Sequence, residues 1–469
     1  MRAVLYAYEV FILVYFSALA LISALLGFLG MRAVVIYARE MSSVALTALL
    51  ERDFFKPVSI LVPAYNEEKV IVPSVQSLVD LEYPEFEVIV AADGATDNTV
   101  GVLIEAFDLI EIPRAYRVVV PTQPVRRVLR SIRYPNLFVV DKENGGKADT
   151  VNAAFNLASY PLVCSIDADS ILDGRALARA TRLFAEDDDI IAVGGTVRPL
   201  NGAELRNGTV WDLRAPKRWV ERLQVLEYAR AFFTARAAWS RLNCLMIISG
   251  AFGIFRRDAV EAIGGWWTGT VADDMEIVVR LHRHHRLLRK PYRIITSPDP
   301  VCWTEVPSSL KALRRQRNGW QRGLWEVLLR HKSMFMNPRY GRIGLVAIPF
   351  LWIFEALAAF VELSGYVYVA VALPLGLLNV PFAVMFMALA VLYAILLSEL
   401  AMGVETLLLS RYERTACRLR LFASAFIEFA GYRQALLWER CTAPFQLRRR
   451  RGRFWTEGER SGSEITVSS

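Results

Sequence analysis

The stretch Val-Cys-Ser-Ile-Asp-Ala-Asp-Ser-Ile (163–171) decides how the rest of the chain is read. It opens as a buried-type strand and ends in two acids, Asp167 and Asp169. Side chains two apart on a strand point to the same face. The pair can therefore grip one hard divalent cation, and such a cation neutralises a diphosphate. An Asp-x-Asp pair also occurs in ordinary strand-end turns, so its meaning rests on its surroundings.

Around it, residues 53–340 have the pattern of a soluble α/β unit. Strand-like runs fall at 58–62, 86–91, 137–140, 162–166 and 190–193, and helical stretches at 67–80 and 147–158 separate some of them. Strands alternating with helices imply a largely parallel sheet, whose ligands bind at the carboxyl ends of the strands. Asn66, Glu67, Asp93, Asp167 and Asp169 all fall at or just beyond such ends, so five polar groups are expected on one edge. Lys147 follows Gly145-Gly146 at a helix start, where backbone amides and an ammonium can both face phosphate.

At 54% hydrophobic, the 469 residues are too apolar for a typical soluble protein. Residues 10–30 are apolar and long enough to cross a bilayer, and 1–42 is expected to be an uncleaved anchor because only Arg2 precedes the run and no clear small-residue cleavage site follows. Apolar runs at 343–373 and 382–409, joined by an uncharged turn, predict a transmembrane hairpin over 341–410. Arg32, Arg39, Arg339, Arg342 and Arg411 flank these segments and place the 53–340 domain in the cytoplasm. Within 411–460, residues 421–439 carry Glu428 and Arg433 and fit an interfacial amphipathic helix better than a third C-terminal span. The tail 461–469 is expected to be disordered. Glu355, Glu362, Glu399 and Glu405 lie in the hairpin with no basic partner in either of its segments, either lining a polar path or packed protonated between helices.

The formal net charge is +8, and Arg411, Arg414, Arg418, Arg420 and the arginines of 448–453 cluster after apolar segments or near the chain end. That placement suits membrane lipids rather than nucleic acid, for which no binding module accompanies the charge. Five scattered cysteines without metal-type spacing read as reduced and structural. Arg-Leu-His-Arg-His-His (280–285) reads as an exposed basic helix end rather than a metal site.

In chain order the polar motifs are Val-Pro-Ala-Tyr-Asn-Glu-Glu (62–68), Ala-Ala-Asp-Gly-Ala-Thr-Asp-Asn-Thr (91–99), Lys-Glu-Asn-Gly-Gly-Lys-Ala (142–148), Asp-Ala-Asp (167–169), Val-Ala-Asp-Asp-Met-Glu (271–276) and Arg-Gln-Arg-Asn-Gly-Trp-Gln-Arg-Gly (315–323). The set resembles the membrane-integrated family-2 inverting glycosyltransferases, of the bacterial cellulose, hyaluronan and poly-N-acetylglucosamine synthase type. The resemblance implies an α/β GT-A domain with N- and C-terminal transmembrane helices, in a bacterial-type inner (plasma) membrane. It implies a UDP-sugar donor, a saccharide or lipid-linked acceptor, and Mg²⁺ or Mn²⁺, both suited to oxygen ligands.

By the same resemblance Asp93 meets the uracil or ribose, while Asn66, Glu67, Lys147 and Asp167 serve the rest of the donor. Asp169 is the direct metal ligand with Asp167 beside it, and Asp274 is the base that an inverting transfer needs. Asp273 replaces the family's usual Glu. The family's Gln-x-x-Arg-Trp motif, which closes over the diphosphate, is incomplete: Gln316 and Trp320 are present, but Gly319 stands at the Arg position. A guanidinium must then come from Arg315, Arg317 or Arg322. Three readings follow: a processive synthase of a β-linked polymer, transfer of a single sugar to a lipid or lipid-linked acceptor, and a scaffold prompted by Gly319. An accessory subunit or a homo-oligomer is compatible with each.

Overall fold

The computed structural model describes residues 2–42, 55–206, 209–405, 415–447 and 466–467. Its centre is β1 (Val58–Ala64), a strand buried along its whole length. Alternation sends Ile60 and Val62 into one core with Ile71, Val75 and Leu78, and Leu61 into another with Ala148, Val151 and Phe155. Helices cover both faces, which is why the strand is apolar throughout instead of alternating. β1 pairs in parallel with β2 (Phe86–Asp93) and with β6 (Leu162–Ser165), and β2 pairs in parallel with β5 (Leu137–Lys142). Their carboxyl ends lie along one edge, with Asp93 in register with Lys142.

The sheet is mixed, not largely parallel. Antiparallel β4 (Val125–Ser131) and β3 (Leu109–Glu111) extend it beyond β5. On the other side, β11 (Gly253–Arg256) inserts antiparallel between β6 and β8 (Ile190–Pro199), followed by β12 (Arg293–Thr304) and β7 (Ile171–Leu172). The antiparallel strands escape a sequence pattern for a physical reason. β4 is Val-Arg-Arg-Val-Leu-Arg-Ser and carries its charges outward near the sheet edge, while β11 has only four residues. A separate hairpin joins β9 (Ala203–Arg206) to β10 (Thr209–Leu213). Most of the 461–469 tail lies outside the described residues, and Thr466–Val467 pairs with β9.

Among the described residues three helices are long and apolar enough to cross a membrane: Val4–Glu40, Ile343–Ala372 and Ala383–Val404. The first belongs to a continuous 41-residue helix, Arg2–Ser42. It packs on the π-helical turn Ala231–Arg236 so closely that a Cβ at Gly30 would overlap the backbone of Thr234. In the second, π-turns flank Pro349, which has no N–H to give and crowds the preceding turn.

Residues 421–439 lie within helical segments that run on from Thr415–Ile427 through Glu428–Tyr432 to Arg433–Thr442. Glu428 pairs with Arg230 at 2.5 Å, and Arg433 pairs with Glu362 at 3.3 Å. Two of the four hairpin glutamates, Glu362 and Glu405, thus draw partners from outside the hairpin. Glu405 reaches Arg198 at the end of β8, at 2.6 Å, with both side chains buried. Removing one member of a buried pair strands the other charge, whereas replacing both with apolar groups is often neutral. Glu405→Ala is expected to cost about 3 kcal/mol of stability, read as a fall in melting temperature, and Arg198→Met with Glu405→Leu to recover most of it.

Candidate active site

The edge where β1, β2, β5 and β6 end is organised by a buried ion triad. Asp93 has no solvent exposure, and its carboxylate accepts from Lys142 Nζ at 2.8 Å and from the amides of Gly145 and Gly146 at 2.9 and 2.8 Å. Lys142 in turn binds Asp149 at 2.7 Å. Gly146 adopts φ +87°, a conformation open to glycine, and this lets both amides turn onto one carboxylate. Asp93, expected to meet the nucleotide, is placed against the 143–147 loop and holds it. The two glycine amides, expected to face phosphate, face Asp93.

Asn66 and Glu67 brace a second loop. Asn66, in the left-handed region at φ +56°, accepts from Thr96 N at 2.8 Å and donates to Thr96 Oγ1 at 3.0 Å. The Glu67 amide donates to Thr99 Oγ1 at 2.8 Å.

What the loops deliver is Lys147. Its ammonium bonds Asp167 Oδ1 at 2.5 Å, at the exit of β6. A third wall comes from Gly250, which the sequence reading passed over. A Cβ built there would lie 3.0 Å from Lys147 Nζ, 3.7 Å from Asp274 Cβ and 3.9 Å from Asp167 Oδ1. The run Ser-Gly-Ala-Phe-Gly (249–253) carries the available signal, small residues immediately before a strand. Gly250 thus lies among three groups drawn from segments far apart in sequence.

Asp273 and Asp274 open the helix Asp273–Leu288. Burial and the Asp273 carboxylate push Asp274 up to about 6, against the opposing pull of Lys147 and Arg236. Burial raises Asp273 too; Lys147 opposes that shift and Asp167 adds to it. Burial disfavours the Lys147 ammonium, yet Asp167, Asp273 and Asp274 hold its pKa above the ordinary lysine value. Further along the helix, His282 and His285 are not exposed. His282 bonds the Tyr292 hydroxyl and the Leu245 carbonyl, each at 2.8 Å, and burial lowers it to about 4, so it is a neutral core residue.

Whether the edge suits a divalent cation is decided by its donors. Asp167 and Asp169 are partly exposed on either side of buried Ala168, and both offer hard oxygens. Among the described residues no group of three or more His, Cys, Asp or Glu closes around an ion. A Mg²⁺ or Mn²⁺ held by the two aspartates would thus keep positions for phosphate oxygens, the usual habit of Mg²⁺. The carboxylates of Asp167, Asp273 and Asp274 act together on Lys147. Such a concentration of negative charge fits a divalent cation.

The helix Leu310–Arg330 packs against residues 270–272, just ahead of Asp273 and Asp274. Glu326 accepts from Thr270 Oγ1 and the Val271 amide, each at 3.1 Å, and a Cβ at Gly323 would overlap Ala272 Cβ. The same helix carries Gln316 and Trp320. The Gln316 Oε1 atom is buried and meets no donor among the described residues, and Trp320 is 48% exposed. Gly319 has nothing within 4 Å of where a Cβ would stand. Arg317 sits over the Trp320 ring at 4.1 Å and pairs with Glu227 at 2.5 Å.

A family model described as "Glycosyltransferase like family 2" matches residues 56–323. The chain belongs to that family. It is a family-2 glycosyltransferase, and its mixed α/β architecture is of the GT-A type. Among similar proteins is the poly-beta-1,6-N-acetyl-D-glucosamine synthase of Staphylococcus epidermidis, 27% identical over 60% of this chain and 57% of that one. The synthase of the same name from Staphylococcus aureus is 27% identical over 66% of this chain and 64% of its own. The glycosyltransferase thus spans less than two thirds of the length of these relatives. A mannosyltransferase of Pyrobaculum calidifontis, solved in complex with GDP-Man and Mn²⁺, shares the fold at a TM-score of 0.52 and 20% identity, covering 87% of this chain and 98% of that one.

The close passage at Gly323 sets the position of Ala272 and the helix start that follows it. Gly323→Ala is expected to push Ala272 and Asp274 out of place and lower kcat about a hundredfold, since a displacement near 1 Å suffices for that. Ala272→Gly in the same chain is expected to restore it, measured by sugar transfer at saturating donor.

Proposed function

We propose that this glycosyltransferase transfers a sugar from a UDP-sugar with inversion and extends a β-linked polysaccharide, with its catalytic domain on the cytoplasmic side of the membrane. The observation that carries the reading is the convergence of Lys147, Asp167, Gly250 and Asp274, one pole cationic and one a raised carboxylate. The donor class and the polymer product draw on the relatives named as poly-beta-1,6-N-acetyl-D-glucosamine synthases. Arg32, Arg39, Arg339 and Arg342 beside the spans support the orientation.

In this scheme Asp274 takes the proton of an acceptor hydroxyl as that oxygen attacks the anomeric carbon from the face opposite the diphosphate. The bond from the anomeric carbon to the diphosphate oxygen breaks, and its electron pair leaves with UDP. Lys147 faces the departing charge, and Asp273 adjoins the donor sugar. Asp167 and Asp169 would hold Mg²⁺ or Mn²⁺, which supplies charge neutralisation to the diphosphate. Trp320, exposed on the overlying helix, offers an aromatic face to the acceptor sugar.

A base must be ionised to act. Protonation of Asp274 on lowering the pH through about 6 removes that form. The rate is expected to be flat above about 6 and to fall about tenfold per pH unit below it. Asp274→Asn is expected to reduce transfer about a thousandfold with the protein still folded. Both are checked with purified protein in lipid, Mn²⁺ and radiolabelled UDP-N-acetylglucosamine, with UDP-glucose, UDP-glucuronate and UDP-galactose alongside. A long polymer supports the synthase reading, and a short lipid-extractable product replaces it with single transfer. Unchanged transfer by Asp274→Asn would remove the base assignment.

A further inference from the structure

We propose that Glu227 is a positioning residue, and that through it Arg317 takes over the diphosphate contact for which Gly319 has no side chain. The inference rests on the UDP-sugar reading above and adds how the incomplete motif still works.

The arginines of the Leu310–Arg330 helix have separate surroundings. Arg314 pairs with Glu439 at 2.8 Å, Arg330 lies over the Trp267 ring at 3.4 Å, and Arg315 is exposed. Arg322 is 1% exposed, enclosed in the domain. Arg317 is three residues from Trp320, one helical turn away, and this spacing lays its guanidinium on the ring. The contact to Glu227 is made by Nη2, and Nε is buried without an acceptor among the described residues. With Nη2 taken and Nε enclosed, Nη1 is the donor that can turn to a ligand, on a side chain 15% exposed and held between a carboxylate and an indole.

Glu227 belongs to the helix Trp219–Arg230, next to Tyr228. Burial raises the Tyr228 phenol, Arg317 and Arg236 oppose the shift, and Glu227 and Asp169 add to it. Arg317 and the expected metal ligand Asp169 thus act on the same phenol from different elements. An arginine free of Glu227 would have a long side chain to order each time a diphosphate arrived. With Glu227 in place that entropy is spent in folding. Because Gly319 faces open space, a side chain introduced there meets no obstacle.

The test is UDP binding with Mn²⁺ to the full-length protein in lipid, by calorimetry, with melting temperatures recorded for every variant. Transfer kinetics are measured in parallel. Arg317→Gln is expected to weaken UDP about tenfold or more, the size of a lost charged hydrogen bond. Glu227→Gln is expected to raise the donor KM several-fold with a smaller change in kcat, and Glu227→Asp to recover part of it. The deciding variant is Arg317→Gln with Gly319→Arg, expected to regain UDP affinity because a guanidinium returns beside Trp320, at the position where the motif carries it. Wild-type affinity in Arg317→Gln, or no recovery in the folded double variant, would overturn the inference and leave the donor reading standing. A wild-type protein that transfers sugar yet binds no UDP overturns the donor reading, and this inference with it.

Discussion

Carboxylates crowd one ammonium at the edge of the sheet, and most of the surrounding architecture serves to keep them there. Like charges brought together in a partly buried place repel, and a flexible scaffold would relieve that by moving apart. Here each acid is fixed by something stiffer than itself. Asp167 leaves the end of a strand paired to both β1 and β11. Asp273 and Asp274 open a 16-residue helix. Lys147 is set by a loop whose backbone is tied to Asp93 in the dry interior. The triad of Asp93, Lys142 and Asp149 carries no chemistry of its own in this arrangement. It converts two glycines into a fixed support for the residue that does face the site.

The second constraint is mechanical. Residues 270–274 are held to the helix above them, because Gly323 leaves no gap at Ala272 and Glu326 holds Thr270 and Val271. That helix also touches the candidate span Ile343–Ala372, through Gln321 to the Ala356 carbonyl, and the helix Arg433–Thr442, through Arg314 to Glu439. Arg236, which acts on Asp274, lies two residues from Thr234, where the N-terminal helix makes its close passage at Gly30. Asp274 is thus linked through its neighbours to the helix above it and, by way of Arg236, to the N-terminal helix.

The sequence carried the parallel half of the fold and the identity of the acids, because both depend on local signals. Buried β-branched runs at β1, β2, β5 and β6 and acids at their ends leave a pattern within a few residues. The antiparallel half did not, since β4 is rich in arginine and β11 has four residues. Their strand character comes from neighbours distant in the chain. The same distinction runs through the site. Lys147, Asp167, Asp274 and Asp93 could all be named from their motifs, but the ties of Asp93 to Lys142 and to the 143–147 loop leave no local signal. Gly250 and Glu227 had no motif reading, because their roles lie in what they adjoin: Gly250 keeps a space empty, and Glu227 holds an arginine ninety residues away.

The N-terminal helix has a consequence in the geometry of rotation. Its 41 residues amount to about 60 Å at 1.5 Å each, roughly twice a hydrocarbon layer. It is seated against the domain at Gly30, within its apolar length. A helix couples height to angle: one residue inserted in it ahead of Gly30 shifts the preceding residues by only about 1.5 Å along the axis but turns them by about 100° relative to that contact. The N-terminal half of the helix therefore presents a different face to the neighbouring spans after each such change. Length changes ahead of Gly30 can keep that face only in steps close to whole turns.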